Sequence, residues 1–119
     1  MNGFDELKQV TTLLVDDDEF IRNSLELAFK TKGCCLQVAE SAEEGLRTIK
    51  DQQFDIIISD LQLPGIDGVE FFKLAMRSHP YTIKILISGY GNESDVANAF
   101  KIGVHAFINK PFSLTAFLE

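Results

Sequence analysis

Residues 56–65, Ile-Ile-Ile-Ser-Asp-Leu-Gln-Leu-Pro-Gly, restrict the fold more than any other stretch of the chain. The run Ile56-Ile57-Ile58 lacks the apolar–polar alternation of a half-exposed strand. It reads instead as a strand covered on both faces, as in a parallel sheet. Pro64-Gly65 supplies a turn soon afterwards. Between strand and turn, Asp60 places one carboxylate where the strand stops. A lone acid there is ordinarily solvated or caps the next element, so the rest of the chain must decide its use.

That rest alternates strand and helix. Thr11 to Val15 is β-branched and apolar and runs into Asp16-Asp17-Asp18. Within 19–32, Ile21, Leu25, Ala28 and Phe29 recur at helical spacing, and Gly33 after Lys30 and Lys32 makes a helix stop. Residues 34–39 read as the second strand. Ser41-Ala42-Glu43-Glu44 then forms a capping box, in which Ser41 and Glu44 each satisfy the other's end of the helix. That helix buries Ala42, Leu46 and Ile49 and ends near Gln52. The third strand covers 55–59. Asp67 caps a helix over 68–78, with Val69, Phe72 and Met76 among its apolar positions and Pro80 closing it off. The fourth strand is 83–87, ended by Ser88-Gly89. Asn92 caps a helix through Ile102, with Val96, Ala99 and Phe100 inward and Gly103 as its stop. The fifth strand is 106–109, broken by Lys110-Pro111. Ser113 caps a last helix with room for only about two turns, which is expected to continue past Glu119.

Bulk properties remove several function classes. A chain of 119 residues makes one ordinary domain, here with residues 1–9 as an N-terminal extension. Its 45% hydrophobic and 24% charged content is that of a soluble globular protein. A net charge of -7 argues against direct nucleic-acid binding. No apolar run approaches the ~20 residues that span a bilayer, and the first nine residues lack a secretory apolar core. A cytoplasmic protein with no membrane role is expected. Cys34 and Cys35 are adjacent, so they form neither a disulfide framework nor a zinc site and read as reduced thiols at a strand edge.

Five strands each followed by a helix predict an α/β sandwich with a doubly wound parallel sheet, in order 2-1-3-4-5. Ligands in such folds bind at the carboxyl ends of the strands, near the switch between the first and third. The polar residues at those ends are Asp16 and Asp17, then Asp60, Ser88 and Lys110. All five should face one crevice. Carboxylates brought to ~4 Å repel by ~4 kcal/mol per pair at an effective dielectric near 20. A divalent cation is the usual means of keeping such a cluster ionised. All-oxygen ligands point to Mg2+, with Mn2+ as the alternative, rather than zinc. A metal, an ammonium and a hydroxyl around one carboxylate suit a phosphoryl group attached to it, because each can hold one phosphoryl oxygen.

Four motifs now carry a resemblance: Leu-Leu-Val-Asp-Asp-Asp, Ile-Ile-Ser-Asp-Leu-Gln-Leu-Pro-Gly, Leu-Ile-Ser-Gly and Asn-Lys-Pro-Phe. In this order and spacing they resemble the receiver domain of two-component response regulators, from Thr11 to Phe112. The resemblance implies a flavodoxin-like fold with helices on both faces of the sheet. It implies Asp60 as phosphoacceptor, Asp17 as direct metal ligand, Asp16 acting mostly through water, and the backbone carbonyl of Gln62 as a further metal contact. Ser88 matches the switch hydroxyl and Lys110 the family lysine, with a cis Lys110–Pro111 bond. Gly89, Tyr90 and Gln62 match positions that govern access to the phosphoryl group. Phe107 matches the rotating switch aromatic, where many relatives have tyrosine, so coupling here must rest on packing.

The implied function is a phosphorelay switch. A histidine kinase or histidine phosphotransfer domain donates the phosphoryl group. The face of the fourth helix, fifth strand and fifth helix then changes, acting on a C-terminal output domain or partner protein, or forming a phosphorylation-dependent dimer. Such a module catalyses its own phosphotransfer and dephosphorylation without being a conventional enzyme. Two other classes stay open. A haloacid-dehalogenase-like phosphohydrolase would use Asp16 as nucleophile and Asp18 as general acid, but the chain is short for that fold and Phe20 departs from its motif. A flavodoxin-like flavin binder would need hydroxyls and glycines in its first loop, where Asp16-Asp17-Asp18 repel phosphate instead.

Overall fold

The computed structural model describes residues 10–88 and 93–109. The elements are β1 (Thr11–Val15), α1 (Glu19–Thr31), β2 (Cys35–Ala39), α2 (Ala42–Asp51), β3 (Ile56–Asp60), α3 (Gly68–Ser78), β4 (Ile83–Ser88), α4 (Glu93–Lys101) and β5 (Ala106–Asn109). The strands form one sheet in the order β2-β1-β3-β4-β5, and every neighbouring pair is parallel. The expected order therefore holds, with the chain reversing direction across the sheet between β1 and β3.

Alternation along the strands divides the core in two. Leu13, Val15, Ile57 and Leu86 face one side with Ala42 and Ile49 of α2, Phe71, Phe72 and Ala75 of α3, and Ala99 of α4. Leu14, Ile58 and Ile87 face the other with Leu25 and Phe29 of α1. Helices thus cover both faces, and β1, β3 and β4 are buried as their continuous apolar runs require. At the edge, β2 alternates between exposed and half-buried positions until Ala39. Cys34 is buried and Cys35 exposed, and both are free thiols.

The caps follow the sequence closely. Asp18 and Asp67 accept backbone N–H groups at the starts of α1 and α3. Gly33 and Gly103 have φ of 74° and 98°. At each, the next residue's N–H reaches back to the helix, Cys34 to Phe29 at 2.8 Å and Val104 to Ala99 at 3.1 Å. That is a Schellman ending, which the absence of a Cβ permits.

Two expectations need correction. The Ser41 hydroxyl does accept from the Glu44 N–H at 3.2 Å, but the Glu44 carboxylate accepts from Glu40, one residue before the cap. Phe100 is not inward: it is 49% exposed while Ala99 is fully buried. Adjacent helical positions are about 100° apart, so the small residue takes the close approach to the sheet and its neighbour turns outward. The last helix expected from Ser113, and Asn92, lie outside the described residues.

Candidate functional site

The site begins where β1 and β3 end side by side. Their register aligns Val15 with Ser59, so the next residues, Asp16 just past β1 and Asp60 at the last position of β3, come side by side at this edge of the sheet. Asp16 is fully buried and Asp60 is 6% exposed, whereas Asp17 is exposed. One carboxylate oxygen from each of Asp16, Asp17 and Asp60 lies within 4.8 Å of the others. The cluster holds no histidine or cysteine.

Local hydrogen bonds fix these acids. The N–H of Asp18 donates to Asp16 Oδ1 at 2.9 Å, while the Asp18 carboxylate accepts from Phe20 at 2.9 Å and caps α1. Asp18 is thereby assigned to the helix start rather than to the cluster. The Gln62 N–H donates to Asp60 Oδ1 at 3.2 Å. Behind it, the Gly68 N–H donates to the Leu61 carbonyl at 2.8 Å, drawing the start of α3 against the end of β3. A Cβ on Gly68 would collide with the main-chain oxygen of Asp60 and stand 2.9 Å from Leu86 Cδ1. Only glycine lets the loop return this tightly.

Ser88 is the last residue of β4 and is buried at the same end of the sheet. Asp60 pairs with Ile87 in the ladder, one residue before Ser88. Phe107 lies on β5 opposite Leu86 and packs, half-buried, against the core of the α2–α3–α4 side. Gln62 is exposed beside the acids. The structure thus gathers Asp16, Asp17, Asp60, Gln62 and Ser88 at one end of the sheet. Lys110, Pro111, Gly89 and Tyr90 lie outside the described residues.

Two buried acids within reach of a third create a concentrated negative site. An all-oxygen donor set of this kind fits a hard divalent cation. Arg22 was not singled out by sequence motifs, yet its Nη1 donates to the Asp16 carbonyl at 2.9 Å. The only sequence signal was a lone cation one helical turn after the Asp18 cap. Among the described residues, no helix is long and apolar enough to cross a membrane.

Comparison with known proteins agrees with this geometry. Residues 12–119 match the response regulator receiver domain. The transcriptional regulatory protein GlrR of Escherichia coli K12 is 32% identical over 112 residues, which is 94% of this chain and 25% of GlrR. This chain spans only about a quarter of the length of GlrR and of the NtrX-like relatives it matches. The structure of a CheY-like receiver domain protein from Methanospirillum hungatei JF-1 superposes with a TM-score of 0.87 at 30% identity, covering 91% of this chain and 86% of that one. The beryllofluoride-activated NtrC4 receiver domain dimer gives 0.84 at 33% identity, over 91% and 89% of the two chains. The chain belongs to the response regulator receiver domain family.

Proposed function

We propose that this chain accepts a phosphoryl group on Asp60 from the phosphohistidine of a histidine kinase or histidine phosphotransfer domain. The observation that carries this reading is the convergence of Asp16, Asp17 and Asp60 at the ends of β1 and β3, each with an oxygen within 4.8 Å of the others. Mg2+, or Mn2+ in its place, would neutralise these carboxylates and the incoming phosphoryl oxygens when bound. Asp17, Asp60 and the Gln62 carbonyl would hold it directly, and Asp16 mainly through water.

Asp60 acts as the nucleophile. One of its oxygens bonds to phosphorus as the donor's N–P bond breaks, and the imidazole leaves with the electron pair. The Gln62 N–H on Oδ1 holds the carboxylate in a fixed orientation before attack. The Ser88 hydroxyl donates to one phosphoryl oxygen and the Lys110 ammonium pairs with another. Gly89, Tyr90 and the Gln62 side chain set how water reaches the acyl phosphate, and so how fast Asp60 is released by hydrolysis.

Movement of Ser88 toward the phosphoryl group frees space beside Leu86, and Phe107 turns inward from β5. The face of α4, β5 and the helix expected from Ser113 changes with it. Phosphorylation acts here by favouring one of two existing conformations, since it makes contacts that only one of them offers. An output domain, a partner protein or a second copy of the chain reads that face. The NtrC4 receiver is a dimer when activated by beryllofluoride, which supports the last of these. The chain is a cytoplasmic signalling module that catalyses its own phosphotransfer and dephosphorylation.

The test is intact-mass measurement after incubation with Mg2+ and a small phosphodonor such as acetyl phosphate. Wild type should gain one base-labile phosphoryl group, and Asp60→Asn should gain none. No uptake by wild type, or equal uptake by Asp60→Asn, rules the reading out.

A further inference from the structure

The acid pair after β1 is gripped from α1 by a residue outside the cluster. Arg22 is largely buried, with its side chain 14% exposed. Its Nη1 donates to the Asp16 carbonyl at 2.9 Å. Its Nη2 lies 3.8 Å from Glu40 Oε1, in the turn between β2 and α2. The Glu40 N–H in turn donates to the Glu44 carboxylate of α2 at 3.2 Å.

We propose that Arg22 is a positioning residue that fixes the Asp16–Asp17 peptide so that both carboxylates point at Asp60. This inference rests on the cation-binding reading of the cluster. The bonded carbonyl belongs to the peptide unit joining the two acids. A peptide is planar, so anchoring its carbonyl fixes the backbone torsions on either side and with them both Cβ directions. A planar guanidinium can hold the carbonyl with one nitrogen and face Glu40 with the other; an ammonium lacks that fork. The anchor links the β1–α1 turn to the β2–α2 turn, and the Asp18 cap fixes the same turn from the other side.

Charge alone predicts the opposite behaviour. A cation near the cluster repels a divalent ion, so removing Arg22 would tighten metal binding if its charge were all that mattered. The two roles therefore differ in sign.

Electron paramagnetic resonance titration with Mn2+ separates them, using the full chain and Arg22→Lys, Arg22→Gln and Asp17→Asn variants. Circular dichroism of each variant fixes a temperature at which it is folded. Positioning predicts that both Arg22 variants bind Mn2+ more weakly, by about tenfold, the low end for groups that orient metal ligands. It also predicts faster hydrogen exchange at the Asp18 amide, whose acceptor is Asp16 Oδ1. The inference is overturned if Arg22→Lys binds as wild type while Arg22→Gln binds more tightly, or if neither changes. It is also overturned if the loss disappears once unfolded protein is subtracted. Asp17→Asn reports on the underlying reading. If that variant also binds Mn2+ as wild type does, the cation site itself is wrong; if it alone weakens, only the role of Arg22 fails.

Discussion

At the amino ends of the strands a lysine is buried; at the carboxyl ends two aspartates are. Lys84, near the start of β4, is 1% exposed. Its Nζ donates to the carbonyls of Thr82 at 2.8 Å and His79 at 3.2 Å. Its own N–H donates to His105 Nδ1 at 3.0 Å, and the Thr82 hydroxyl donates to the Phe54 carbonyl at 2.8 Å. The Lys84 and Thr82 donors each meet a main-chain or ring acceptor nearby, and the arrangement serves the loops that it ties together. At the other end, Asp16, Asp17 and Asp60 bring like charges within 4.8 Å. Burial of a charge is therefore not what marks the functional end. What separates the ends is the kind of group that converges, an ammonium among main-chain carbonyls at one and three carboxylates at the other.

That contrast can be broken at either end. The largest expected effect is at Lys84. Lys84→Ala removes a long buried stem and leaves the His79 and Thr82 carbonyls without their ammonium donor. It should lower stability by about 3 kcal/mol in urea unfolding, while the folded fraction still takes up a phosphoryl group. A large loss of uptake per folded molecule would show that the two ends are coupled.

Next is Gly68→Ala, which drives a Cβ into the main-chain oxygen of Asp60. A cost of about 2 kcal/mol by the same measurement is expected for this overpacking, together with slower phosphoryl uptake. Equal uptake would mean that the loop relaxes without moving Asp60.

Asp17→Asn should act in the reverse direction. In the presence of a chelator, loss of one like charge should stabilise the protein by about 1 kcal/mol, discounted because Asp17 is exposed. Added Mg2+ should then raise the thermal midpoint of wild type more than that of the variant. Destabilisation by Asp17→Asn without metal would show that the cluster carries no repulsion.

The smallest effect concerns pH. Burial lowers the Lys84 ammonium below its ordinary pKa of 10.5. Between the two values the unfolded chain binds more protons than the native one, so the linked stability rises with pH up to 10.5. Urea unfolding at alkaline pH should show wild type gaining on Lys84→Met across that window. Parallel curves would mean that the amine titrates alike in both states.

Much of this was legible in the sequence because it is local. The helix over 68–78 and the strand over 106–109 match the observed bounds, since caps and apolar runs mark them directly. The acid cluster was legible because strand ends in a doubly wound sheet converge by topology. Phe100 was misplaced because periodicity gives a stripe and cannot decide which of two neighbouring apolar residues faces the core. Lys84 and Arg22 left almost no signal, because both bond to main-chain carbonyls and any residue supplies one. Glu44 shows the same limit on a smaller scale, since its acceptor chose the N–H of Glu40 over that of the cap.

The most direct measurement is the position of the acyl phosphate. Wild type phosphorylated with acetyl phosphate and Mg2+ is reduced with borohydride, which converts a phosphorylated aspartate to homoserine, and is then digested and sequenced by mass spectrometry. The account predicts homoserine at position 60 alone. Homoserine at Asp16 or Asp17, or at no aspartate, would contradict it.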